Sequence, residues 1–120
     1  MERDMDLFRK LLIEVEAVPP TVNWVHITVG GYSQEAIWYH AKLAYDEKFI
    51  EARFLPGTFD FNVQRLTFAG HEFLDLARDD TRWNKAKEKV KATTGTLTVD
   101  ALKTALSIMI QAAVKAAFAP

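Results

Sequence analysis

Apolar residues recur along this chain at two different periods. Met5, Phe8, Leu11, Leu12 and Val15 fall at helical spacing, with Arg9, Lys10, Glu14 and Glu16 largely off the stripe. Asp4 suits an N-cap, Asp6 sits near the positive end of the helix dipole, and Pro19-Pro20 cannot continue a helix. The pattern predicts a first helix over about Met5 to Ala17. Thr21 to Val29 is rich in β-branched and aromatic residues, with Val25, Ile27 and Val29 on one face and Trp24, His26 and Thr28 on the other, which predicts a strand. Gly30-Gly31 breaks it. Ser33 then caps a helix running to about Glu47, with Ile37, His40, Ala41 and Ala44 inward and His40 expected as a hydrogen-bonded core residue.

Two alternating segments follow. Phe49 to Leu55 sets Ile50, Ala52 and Phe54 opposite Glu51 and Arg53; Pro56-Gly57 signals a turn; Phe61 to Thr67 returns antiparallel. Thr67 caps a third helix carrying Gly70, Phe73, Leu74 and Ala77 on one side. Asp79-Asp80-Thr81 restarts or bends the helix, and Arg82 to Lys91 continues it. Ala92 to Thr96 reads as a linker, and Thr98 caps a last helix to about Phe118. The expected order is α-β-α-β-β-α-α-α: an α+β, winged-helix-like domain over 1–91 (α-β-α-β-β-α and its following helix), a short linker at 92–97, and an apolar C-terminal helix over 98–118.

Composition then narrows the function classes. The 120 residues are 49% hydrophobic and 26% charged with a net charge of −1, so one core can close and no global positive field gathers phosphates. With no cysteine, thiolate zinc sites, disulfides and thiol nucleophiles are excluded, and a cytoplasmic location fits. The amphipathic start carries no signal-peptide pattern, and Lys103, Gln111 and Lys115 interrupt the tail helix, so no membrane role is expected.

The chemistry-bearing motifs are few. His26, His40 and His71 lie on separate elements, and the His71-Glu72 pair has no second histidine four residues on, so no metal site is expected. Gly30-Gly31 is too short for a phosphate or dinucleotide loop, and of the two serines, Ser33 serves as a cap. We therefore expect no catalytic residues, no cofactor and no enzyme activity.

Segment Arg65-Leu66-Thr67-Phe68-Ala69-Gly70-His71-Glu72-Phe73-Leu74 is similar to the wing exit of small bacterial winged-helix proteins. Three blocks in order over residues 3–91 carry a closer likeness: Arg3-Asp4-Met5-Asp6-Leu7-Phe8-Arg9-Lys10; Gly31-Tyr32-Ser33 leading to Ile37-Trp38-Tyr39-His40; and Arg65-Leu66-Thr67 through His71-Glu72-Phe73-Leu74-Asp75 to Trp83-Asn84-Lys85-Ala86-Lys87. Together they resemble an uncharacterised bacterial and phage family, domain of unknown function 2513. The resemblance implies a winged-helix-like fold and a phage or prophage origin, and it brings no catalytic residues.

Within that frame the helix over Ser33 to Glu47 is the expected reader. Its outward positions Gln34, Glu35, Trp38, Lys42, Tyr45 and Asp46 offer one Lys, one Gln, carboxylates and aromatics, and the helix that ordinarily braces a reader on DNA is replaced by the strand expected at Thr21 to Val29. Major-groove readers bring Arg, Lys, Asn or Gln to base edges, whereas Trp and Tyr anchor protein interfaces. The expected activity is therefore interaction with a host or phage protein, such as a defence or transcription component, through Gln34, Glu35, Trp38, Lys42 and Tyr45 together with the wing. The alternative is a dimeric regulator binding double-stranded DNA through Lys42, Arg53, Arg65, Arg82, Lys85 and Lys89. The stretch Arg78 to Lys91 carries six cations against three acids, a local +3 that leaves −4 on the remainder. In the tail helix Leu102, Leu106, Ile110, Val114 and Phe118 recur every turn, and a homodimer through that stripe is expected.

Overall fold

Each helix begins where a short polar side chain takes up its first free N–H groups. A computed structural model describes residues 1–21 and 23–120. In it the Asp4 carboxylate accepts from the N–H groups of Asp6 and Leu7 and opens α1 (Met5–Glu16). The Ser33 hydroxyl accepts from Ala36 N at 3.1 Å and opens α2 (Gln34–Asp46). Past the hairpin of β1 (Ile50–Phe54) and β2 (Phe61–Leu66), Thr67 Oγ1 accepts from Gly70 N at the start of α3 (Phe68–Ala77). Asp79 accepts from Arg82 N to open α4 (Asp80–Thr94), and Thr98 accepts from Ala101 N to open α5 (Val99–Ala117). Among the described residues this is a mixed α+β chain of five helices and one two-stranded antiparallel sheet.

Two boundaries differ from the sequence expectation. Thr21 and 23–29 form no strand: among these described residues there is a turn at Thr21, a bend at Trp24 and one isolated antiparallel bridge, in which Val25 and Val63 exchange two N–H···O bonds of 2.9 and 2.8 Å. Val22 lies outside the described residues. The hairpin register slips between Glu51 and Ala52, leaving Gln64 as the extra residue beside Val63. A bulge bends its strand and interrupts pairing, so Val63 is where the ladder to Val25 stops, while Ile27 and Val29 turn inward and are buried. The linker expected from Ala92 is also shorter: α4 runs on to Thr94 and closes at Gly95, which adopts φ +80.

The chain divides into two compact units, Met1–Leu74 and Asp75–Pro120, rather than at 92–97. In the first, α1 packs on α2 and β2, and three rings meet pairwise at its centre: Phe8–Phe49 at 6.0 Å, Phe8–Phe73 at 5.9 Å and Phe49–Phe73 stacked at 5.2 Å. Gly70 makes that stack possible. A Cβ at position 70 would lie 2.1 Å from the Phe49 carbonyl oxygen, so α3 can approach the start of β1 only with glycine there. His40 is buried as expected. Its Nε2 accepts from Asp4 N at 2.7 Å and its Nδ1 donates to Ala36 O at 2.7 Å, which fixes the tautomer and ties α2 to the start of α1. In the second unit α4 packs along α5, and Trp83, Ala86, Val90, Leu102 and Leu106 are buried.

Candidate functional site

Gln34, Trp38, Lys42 and Tyr45 are spaced four, four and three residues apart, which puts them on one stripe of α2. The hairpin meets that stripe with the phenylalanines that flank its Pro56-Gly57 tip. Gln34 Nε2 donates to Phe59 O at 2.8 Å. The Trp38 and Phe59 rings pack edge to face at 5.3 Å, and Tyr45 packs edge to face on Phe54 at 5.5 Å. Lys42 Nζ lies across both groups, 4.3 Å from the Phe54 centroid and 5.7 Å from that of Trp38. Phe54 in turn stacks on buried Phe61 at 5.7 Å, which anchors the surface in the sheet.

The result is a continuous aromatic surface that is only partly covered. Tyr45 remains 48% exposed and Phe59 46%, with Leu55 beside them also half open. Trp38 is half-buried, and its Nε1 is shielded from solvent with no hydrogen-bond partner. An orphaned donor of this kind costs about 1–3 kcal/mol. Glu35 is exposed in the first turn of α2, outside the ring cluster.

The residues of the DNA alternative are distributed differently. Lys42 is laid over rings, Arg53 stacks 3.9 Å from the Trp24 centroid, and Arg65 pairs with Glu51 at 2.7 Å. Those three cations of the first unit thus already have partners within the chain. Arg82, Lys85 and Lys89 belong to the second unit, Arg82 half-buried and the two lysines exposed.

The expected dimer stripe requires correction. Leu102 and Leu106 are fully buried within the single chain, so they hold α5 in its own fold and are not available to a second copy. Ile110 is half-buried, whereas Val114 and Phe118 are exposed. The cause is the helical drift of a four-residue spacing, which carries the stripe off the covered side within two turns.

Sequence reasoning expects the wing to share this surface but names none of its residues; Phe54, Leu55 and Phe59 supply that share, and aromatics on both sides of a Pro-Gly tip are a readable signal for them. Sequence reasoning missed a cavity of about 340 Å³ between the end of α1 and β2. There His71 Nδ1 lies 3.7 Å from Glu16 Oε2, and Gln64 and Arg65 contribute to the wall. Among the described residues no three His, Asp or Glu side chains converge to hold a metal ion, and no helix is long and apolar enough to cross a membrane.

A family model described as "Hypothetical protein (DUF2513)" matches residues 2–96. A protein of Haemophilus influenzae named "Uncharacterized protein" is 32% identical over 106 residues, covering 86% of this chain and 90% of the relative. No solved structure matches.

Proposed function

Because the chain belongs to the DUF2513 family, we propose that it is a non-catalytic, winged-helix-type protein of phage or prophage kind that acts by binding a host or phage protein. The hairpin would be its wing and α2 its reading helix. An inhibitor of a defence or transcription component is one concrete form of this activity. The observation that carries the proposal is the ring surface shared by α2 and the hairpin, on which Lys42 is spent against Trp38 and Phe54 rather than held out for phosphate. Half-exposed tyrosine and phenylalanine beside an arm of apolar residues is the composition of a protein-binding hot spot. The hairpin's two cations, Arg53 and Arg65, are likewise engaged by Trp24 and Glu51, which disfavours the DNA alternative.

The test compares capture of partner proteins by the purified wild-type chain and by Tyr45→Ala and Leu55→Asp. Both positions are half exposed, so the melting temperature should stay within a few degrees while affinity falls about 30-fold, the scale of a hot-spot truncation. The reading is overturned if both folded variants retain the same partners at the same affinity.

A further inference from the structure

The second half of α5 has no cover in the single chain. Every residue from Gln111 to Pro120 is exposed, including Val114 and an 85% exposed Phe118, and Ile108 just before them is 60% exposed. At 100° per residue Ile108 shares a face with Ala101, Ala105 and Ala112, whereas Phe118 lies about 80° and Val114 about 120° around the helix, so the exposed apolar face centred on Ile108 is the one that marks an interaction. Alongside it, α4 and α5 enclose a groove of about 500 Å³ whose walls include Val90 and Thr94 from α4 and Ala101, Ala105 and Ile108 from α5. We propose that this face binds a second copy of the chain, the two α5 helices crossing antiparallel about a two-fold axis at Ile108.

Charge complementarity singles out the second copy. Asp100 lies eight residues before Ile108 and Lys115 seven residues after it. At 1.5 Å per residue these are about 12 and 10.5 Å from the axis, in opposite directions. A two-fold at Ile108 therefore sets Lys115 of each copy at the height of Asp100 of the other, and does so twice. At 100° per residue Lys115 lies about 20° and Asp100 about 80° from Ile108, both toward the same edge of the helix, so the pairs form along one rim of the contact. A parallel pairing would instead oppose Asp100 to Asp100 and Lys115 to Lys115. Ala105 and Ala112, flanking Ile108 on the same face, let the helices approach closely, while Leu102 and Leu106 stay committed to the fold of each copy.

The chain has no cysteine, so single cysteines report the register directly. Sedimentation of the full chain at micromolar concentration should give a dimer. Ile108→Glu should raise the dimer dissociation constant about 30-fold with the circular-dichroism spectrum of the folded chain unchanged, because that side chain is mostly exposed in the monomer. Asp100→Lys and Lys115→Asp should each weaken the dimer, and the double exchange should restore it. On oxidation, Ile108→Cys should cross-link to itself. Ala101→Cys alone should not, and should do so when mixed with Lys115→Cys. Self-cross-linking of Ala101→Cys would mean a parallel pair and overturn the proposal. A monomer mass would overturn it too and assign the face to a different protein.

Discussion

At the scale of single residues, the fold depends on contacts that leave no room for a neighbouring choice. Gly70→Ala would drive a methyl group to 2.1 Å from a backbone oxygen that cannot rotate away. Overpacking of cores costs about 1–3 kcal/mol, and a backbone obstacle belongs at the upper end of that range. Urea unfolding should show the midpoint falling with the slope unchanged. His40→Ala removes the acceptor of Asp4 N–H and leaves a cavity behind it, which together cost about 2–4 kcal/mol by the same measurement. These two sites differ in how far the sequence discloses them. The helical period places His40 inward, and the glycine is visible early in its helix. The Phe49 carbonyl and the Asp4 amide that make them indispensable lie 21 and 36 positions away in sequence, where no local pattern reaches. Helix caps are the opposite case. Asp4, Ser33, Thr67 and Thr98 bond to N–H groups two or three residues on, so their chemistry is complete within a short window and is legible from it.

At the scale of elements, α2 and the hairpin stand or fall together, and Trp38 is the joint. Trp38→Ala deletes a half-buried ring packed on Phe59 and beneath Lys42. The loss should be about 2–3 kcal/mol, below the full cost of a buried aromatic because the ring is partly exposed. Trp38→Phe keeps a ring and removes the unpartnered Nε1–H, so it should be neutral or raise the urea midpoint. A midpoint lowered as far as in the alanine variant would mean that the indole edge packs where a smaller ring cannot. The elements also show where alternation misleads. Thr21 to Val29 has the composition and period of a strand, yet a strand needs a partner ladder, and among the described residues the pairing stops at the single bridge to Val63 beside the Gln64 bulge. The apolar side of the period is still obeyed, since Ile27 and Val29 are buried and Thr28 is not. The amphipathic pattern is satisfied at Ile27 and Val29 by burial, while hydrogen-bonded pairing is confined to Val25 and Val63 among the described residues. In the candidate surface the α2 stripe was legible for the same reason that its inner face was, whereas the contribution of Phe54 and Phe59 depended on where the hairpin folds back.

At the scale of the whole molecule, charge is partitioned between the two units. Met1–Leu74 carries 7 cationic and 11 acidic side chains, a net −4, and Asp75–Pro120 carries 8 and 5, a net +3. The unit that contains α2 and the hairpin would thus repel a phosphate backbone, and Lys42 and the hairpin's Arg53 and Arg65 are stacked or paired. Of the six residues of the DNA alternative, that leaves Arg82, Lys85 and Lys89 for phosphate contact. Three such contacts limit the salt dependence of duplex binding to a log–log slope of about −3, since each neutralised phosphate contributes about −0.9. Anisotropy titrations of a labelled duplex should accordingly detect at most weak binding in low salt, lost as salt rises to physiological strength. Lys85→Glu with Lys89→Glu should abolish it, and Arg53→Ala and Arg65→Ala should leave it unaltered. A slope near −6 or steeper, together with loss of affinity in the Arg53 and Arg65 variants, would require the hairpin to lie on the backbone, with Arg65 released from Glu51 and Arg53 from Trp24. That outcome would hand the α2 surface to DNA, because the same rings cannot cover a protein partner while the hairpin beside them grips a duplex.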